Sequence, residues 1–230
     1  MNFDFERGEI LLVNKPYRWT SFDVVNFVRN TINVNLGIKR IKIGHAGTLD
    51  PLATGLLILC TGLMTKNISQ FQDLEKEYTG TFILGATTPS FDLEKKIDCT
   101  YPTDGITKEQ VLEVITQLTG TYDQVPPMFS AKKIEGRRAY KYARAETDIK
   151  MKPHCITVSA FDLTRFELPE IDFRIVCSKG TYIRAVARDL GNLLNNGAYL
   201  GALCRTRIGL HHLRDAWDLE ELKKSIQQIL

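Results

Sequence analysis

The chain has 230 residues, 43% of them hydrophobic and 25% charged, and a formal net charge of +3, which suits one large globular domain or two small ones with a sizeable buried core. No stretch approaches the roughly 20 consecutive apolar residues of a membrane span, and the charged start Met1-Asn2-Phe3-Asp4-Phe5-Glu6-Arg7 lacks the apolar centre of a secretory signal. The five cysteines, at 60, 99, 155, 177 and 204, form no C-x-x-C pair, so they read as free thiols of a reducing cytosol and not as a zinc site or disulfide framework.

Taken in chain order, residues 9–13 read as a short strand, and Thr20 or Ser21 caps a helix running to about residue 31. A glycine-rich loop over residues 44–55 opens into the apolar strand 56–60, followed by a short helix near 65–71. Alternation over 78–86 gives another strand. Thr107 with Gln110 forms a capping box for a helix to about residue 118. Residues 126–152 form a basic segment, read as an excursion from the sheet. Two strands follow at 158–168 and 171–176. A helix over 182–194 ends near Asn195-Asn196-Gly197, where Gly197 suits a C-terminal cap, and Asp218 with Glu221 starts a short amphipathic C-terminal helix. Strands and helices intermix irregularly, which argues for an α+β fold over a doubly wound sheet.

The loop Gly44-His45-Ala46-Gly47-Thr48-Leu49-Asp50-Pro51-Leu52-Ala53-Thr54-Gly55 concentrates the chemistry. Pro51 pushes Asp50 toward extended backbone, and a carboxylate fixed on a rigid loop meets the requirement of nucleophilic catalysis. An Asp-Pro in such a loop is more commonly a turn element, and a lone His45 more commonly a loop hydrogen-bonder. Neither G-x-G-x-x-G nor G-x-x-x-x-G-K-[ST] is present, so dinucleotide and P-loop nucleotide fingerprints do not apply.

The same loop resembles the signature G-H-x-G-x-L-D-P-x-A-x-G-x-L of the TruB family, the tRNA pseudouridine-55 synthases. Three further blocks resemble that family in the same order: Lys76-Glu77-Tyr78 its K-x-Y segment, residues 126–140 (PPMFSAKKIEGRRAY) its P-P-x-x-S-A-x-K-x-x-G-x-x-x-Y block, and residues 177–184 (CSKGTYIR) its C-x-x-G-T-Y-I-R block. The resemblance spans about residues 8–210. It implies a mixed, largely antiparallel central sheet flanked by helices, here one catalytic domain over 1–230 with an RNA-gripping excursion at 126–152 and a helical tail at 215–230. The implied reaction isomerises uridine 55 of the tRNA T loop: the C1′–N1 bond breaks, the base rotates, and C5 bonds to C1′. No metal or redox cofactor is implied.

Residue by residue, the resemblance makes Asp50 the catalytic carboxylate, with attack on C1′, attack on the base and C2′ deprotonation all open. Arg184 is implied as its cationic partner, which would lower its pKa and orient it. Tyr78 is implied to stack on the target base and relay a proton. His45 fills the gap left by the flipped uridine, and Tyr182 and Leu203 line the base pocket. Lys66 falls where the family carries a lysine near the active site, although a solvent-exposed lysine is an equally good account. Tyr78, Tyr182 and Leu203 would also serve as plain core residues.

Charge supports an RNA partner. Residues 131–152 carry eight Lys/Arg against three Asp/Glu, and residues 174–214 carry seven against one, leaving the remainder of the chain acidic. Such segments suit a polyanion, since each neutralised phosphate releases counterions. Lys132, Arg137, Arg138 and Lys141, interleaved with Tyr140 and Tyr142, are expected to grip the T arm by phosphate contacts and stacking. Only 20 residues follow Leu210, too few for the PUA-type domain of many family members. Cys204 stands where L-R-R-T is common, leaving Arg205 and Arg207 as basic contacts. A guide-RNA-dependent synthase of the dyskerin type and an RNA-folding chaperone are the alternative readings. No membrane and no obligate protein partner are expected.

Overall fold

The computed structural model describes residues 3–129, 133–134, 137–138 and 151–229. They form two compact units, one from residues 1–78 with 203–230 and one from residues 79–202. The fold is α+β, with a largely antiparallel sheet and flanking helices.

In the first unit, β1 (Ile10–Lys15) pairs antiparallel with β3 (Thr54–Thr61), and β2 (Ile43–His45) pairs antiparallel with β3. Helix α1 (Ser21–Leu36) starts at Thr20, whose hydroxyl accepts from Asp23 N–H while the Asp23 carboxylate accepts from Thr20 N–H. It runs past the expected end at residue 31 to Gly37, whose φ of 66° closes it in the left-handed conformation that glycine adopts at low cost. Val24, Val25, Val28 and Ile32 repeat at helical spacing and are buried against Leu11, Val13, Leu57 and Leu59 of the strands and Leu219, Leu222 and Ile226 of the C-terminal helix. The segment expected as a helix near 65–71 is a 3-10 turn, Gly62–Asn67, followed by α2 (Ile68–Asp73).

Two strands, β4 (Lys76–Leu84) and β8 (Ala198–Ile208), belong partly to each unit. In the first unit β8 runs parallel to β3, Cys204 opposite Thr54 and Arg205 opposite Gly55, and β9 (His211–His212) pairs with its end. In the second unit the strand order is β8, β4, β7 (Glu170–Cys177), β6 (His154–Glu167), β5 (Gly120–Gln124). Phe82 and Phe173 stack with ring centroids 4.0 Å apart, and Phe161 meets both edge-on. Helix α3 (Lys108–Gln117) carries the expected Thr107/Gln110 capping box. Helix α4 (Ile183–Leu193) buries Ile183, Arg184, Ala185, Val186, Ala187 and Leu190. The residue past its end with positive φ is Asn195, at 50°, not Gly197. Gly197 lies against Ala86, where a Cβ would come within 2.7 Å of the Ala86 carbonyl carbon. The C-terminal helix α5 (Leu219–Gln227) is capped by Asp218, which accepts from Glu220 N–H. Strands β2, β5, β8 and β9 are absent from the sequence reading. No helix among the described residues is long and apolar enough to cross a membrane.

Candidate active site

The loop that carries Asp50 is held at its backbone by buried side chains on several sides. The Ser21 hydroxyl, 2% exposed, donates to Leu49 O at 3.2 Å and accepts from Leu49 N–H at 2.9 Å. One residue beyond Asp50, Pro51 O accepts from Arg18 N–H at 2.8 Å and from Lys15 Nζ at 3.3 Å. Arg205, 1% exposed, donates from Nε to Leu56 O at 2.8 Å and from Nη2 to Gly47 O at 3.1 Å, tying the two ends of the loop to one rigid guanidinium fork. Ala53 N–H donates to Asp50 O at 3.0 Å and closes the turn. Asp50 itself is half-buried, between the clamped Leu49 and Pro51. Such preorganisation holds a reacting group near its productive geometry without ordering it at each turnover.

Two buried cations, Lys15 and Arg205, flank the loop. Lys15, fully buried, donates Nζ also to Pro16 O at 2.9 Å and Trp19 O at 2.6 Å. Burial pushes its pKa down to about 8; the Asp50 carboxylate opposes that shift and the Arg205 guanidinium adds to it. His45, at the end of β2, is held below the usual histidine range by burial and then by Arg205, so it is neutral at pH 7. Its Nδ1 is buried and has no hydrogen-bond partner among the described residues. Leu203 is half-buried, and its carbonyl accepts from the Thr54 hydroxyl at 3.4 Å. Lys66 is exposed in the 3-10 turn. Tyr78 lies in β4, 9% exposed.

In the second unit, Arg184 stands in the first turn of α4, 4% exposed. Its Nε lies 3.6 Å from Asp92 Oδ2, itself on a buried side chain, while Nη1 donates to Ser90 O at 3.2 Å and Nη2 to Phe129 O at 2.9 Å. Asp92 is fixed in turn: its Oδ1 accepts from Glu94 N–H at 2.9 Å, and its carbonyl accepts from the Thr88 hydroxyl at 2.7 Å. Tyr182, half-buried, precedes α4. Gln124, 2% exposed, accepts from Tyr182 N–H at 2.9 Å and donates to Tyr182 O at 3.3 Å. A cavity of about 410 Å³ in this unit is lined by Thr87, Thr88, Phe91, Arg188 and Asn192 among others, and by none of the residues expected at the site.

Lys15, Asp92 and Gln124 are the residues that sequence reasoning passed over, and Ser21 entered it only as a candidate helix cap. Arg205 needs a correction, because it was expected as a basic RNA contact and is buried against loop carbonyls. Arg207 is engaged by Glu75 at 2.9 Å and Glu77 at 3.8 Å. Arg174 pairs with Asp162 and Arg188 with Asp189. The basic excess of residues 174–214 is therefore largely met by carboxylates and carbonyls within the protein. Of the excursion, Arg137 and Arg138 form a two-residue strand paired with Lys133–Ile134, and Lys132 and Lys141 lie outside the described residues. No cluster of three metal-ligating side chains occurs among the described residues.

Comparison with known proteins agrees with the motif reading. The profile of the TruB family pseudouridylate synthase N-terminal domain matches residues 33–183. The tRNA pseudouridine synthase B of Phocaeicola vulgatus is 52% identical over 225 residues, covering 98% of this chain and 96% of that protein. That of Flavobacterium johnsoniae is 49% identical over 225 residues, covering 97% and 98%. Among solved structures, a Cbf5-Nop10-Gar1 complex contains a chain of like fold, with TM-score 0.72 and 22% identity. The likeness covers 96% of this chain and 54% of that one, so this chain spans about half its length. With two thirds of its residues under the family profile and relatives at about half identity across their whole length, the chain belongs to the TruB family of pseudouridylate synthases.

Proposed function

We propose that this protein converts uridine to pseudouridine in tRNA, at uridine 55 of the T loop, in the cytoplasm. The observation that carries the reading is the clamped Asp50 loop: the residues that match the family signature are the ones whose backbone Ser21, Lys15, Arg18 and Arg205 hold. Relatives named tRNA pseudouridine synthase B at about half identity support the substrate.

The reaction is an isomerisation. The C1′–N1 bond breaks, the freed uracil turns, C5 bonds to C1′, the C5 proton leaves, and N1 ends protonated, so atoms and electrons balance with no co-reactant. Asp50 supplies the carboxylate that attacks or deprotonates the nucleotide and is then released. By the family resemblance Arg184 is its cationic partner, and Asp92 holds Arg184 in place. Tyr78 stacks on the target base, Tyr182 and Leu203 line its pocket, and His45, neutral and unpartnered at Nδ1, takes the space the base leaves. Lys66 and the basic segment at 126–152, with Lys132, Arg137, Arg138 and Lys141, contact the T arm.

The test is incubation with an unmodified tRNA transcript, with no cofactor added, followed by pseudouridine mapping. Modification confined to the T loop is the expected result, and an unmodified transcript overturns the reading. The likeness to Cbf5 is one of fold and does not favour guide-RNA dependence.

A further inference from the structure

We infer that Tyr17 and Arg18 form a second grip on the substrate RNA, beside the Asp50 loop: Arg18 pairs with a backbone phosphate and Tyr17 offers a stacking face to a neighbouring base. The inference rests on the tRNA reading above.

The turn between β1 and α1 runs through Pro16-Tyr17-Arg18-Trp19, with Trp19 N–H directed at Pro16 O. Its third residue has positive φ, a position that glycine ordinarily takes. Arg18 occupies it at φ 66°, a left-handed conformation in which an ordinary side chain crowds its own carbonyl. A long cation in a strained backbone position calls for a use, and no use inside the protein presents itself. Among the described residues the Arg18 guanidinium has no ion pair and no hydrogen bond, unlike Arg174, Arg184, Arg188, Arg205 and Arg207. The guanidinium carbon lies 5.6 Å from the centroid of the Tyr17 ring. Tyr17 is 48% exposed, and Phe22, on the first turn of α1, is 59% exposed.

Position completes the argument. Arg18 N–H donates to Pro51 O, so the turn is tethered to the residue after Asp50 and cannot drift from it. An unpaired guanidinium stacked on an exposed aromatic ring presents positive charge, fork-shaped donors and a π-face together. Single-stranded nucleic acid, with phosphates spaced between stackable bases, fits that combination. A nucleotide held at Asp50 would have its flanking phosphates beside a turn anchored one residue along the chain.

The test uses Arg18→Gly, which removes the side chain and suits the backbone angle, so the variant should fold at least as well as the parent. With an unmodified T-arm stem-loop transcript, Kd should rise about tenfold, the log-log salt slope should become shallower by about 1 unit, and KM should rise more than kcat falls. Arg18→Lys should recover the salt slope and part of the affinity. Tyr17→Ala should weaken binding with the salt slope unchanged. Wild-type Kd and salt slope in Arg18→Gly, alongside normal pseudouridine formation by the parent, would overturn this proposal alone. Failure of the parent to modify the transcript would overturn the tRNA reading and this proposal with it.

Discussion

Arg184 and Asp92 meet inside the protein, Nε to Oδ2 at 3.6 Å, with side chains only 4% and 7% exposed. Charges so far from water are tolerated when each is held by several partners, and both are: Arg184 by the Ser90 and Phe129 carbonyls, Asp92 by the Glu94 N–H. Asp92 belongs to no motif, yet it is placed to set the orientation of the arginine that the family resemblance pairs with Asp50. Asp92→Ala should destabilise the fold by about 3 kcal/mol and cut turnover more than tenfold at saturating tRNA. Asp92→Asn keeps an acceptor for Glu94 N–H and should lose less stability while still turning over slowly. Thermal unfolding and single-turnover pseudouridine formation measure the two effects separately, and wild-type turnover by the asparagine variant would remove Asp92 from the mechanism.

Asp50→Asn keeps shape and volume and removes the charge. Tritium release from C5-labelled uridine should vanish while tRNA affinity stays within a few-fold of the parent. Tyr78→Phe retains the stacking surface and loses the hydroxyl; it should bind substrate and turn over poorly. Equal activity of the phenylalanine variant would restrict Tyr78 to stacking.

Lys15 gives the protein a readable pH signature. Its folded-state pKa of about 8 lies below the usual lysine value of 10.5. Below pH 8 the folded and unfolded chains both carry the charge, and the burial penalty is present in full. Between pH 8 and 10.5 the folded chain loses its proton first, so the unfolded chain binds more protons and stability rises with pH. The rise amounts to about 3 kcal/mol at most. Urea unfolding at pH 7.5 and pH 10 should show this component in the parent and lose it in Lys15→Met. Parallel pH dependences in the two proteins would refute the assignment.

Gly55 has φ +105°, and a Cβ there would sit 2.4 Å from Arg205 O and 2.6 Å from Arg205 N. Neither atom is free to move, since Arg205 is paired with Gly55 across the parallel strands. Gly55→Ala should therefore destabilise the first unit by more than 3 kcal/mol, combining backbone strain with overpacking. A fall in unfolding temperature of only a degree or two would mean that β3 and β8 separate more easily than their contacts imply.

What could be read from the sequence was local. The Thr20 and Thr107 caps declare themselves over three residues, and the strand through Leu56–Cys60 declares itself by its apolar run next to the glycine-rich loop. The groups that immobilise Asp50 do not, because they act across the chain: Ser21 on Leu49 over 28 residues, Lys15 on Pro51 over 36, Arg205 on Leu56 and Gly47 over 149 and 158. A lysine and an arginine are also residue types expected at the surface, so their burial is legible only once carbonyls are seen to converge on them. Strand β8 escaped notice for the same reason, since Arg205 and Arg207 interrupt its apolar pattern. Asp92 sits in the polar run Ser90-Phe91-Asp92-Leu93-Glu94-Lys95-Lys96, which reads as solvated loop until Arg184 is placed beside it.

The guanidinium of Arg205 grips carbonyls at both ends of the Asp50 loop while its backbone leaves no room for a side chain at position 55, so one residue sets two separate demands: its side chain closes the loop, and its main chain requires a glycine opposite. Replacing the arginine would release the Leu56 and Gly47 carbonyls and leave the glycine as constrained as before, because any residue at 205 brings the same backbone. Arg205→Lys should accordingly loosen the loop without making Gly55→Ala any better tolerated, although the two residues meet across 150 positions of chain.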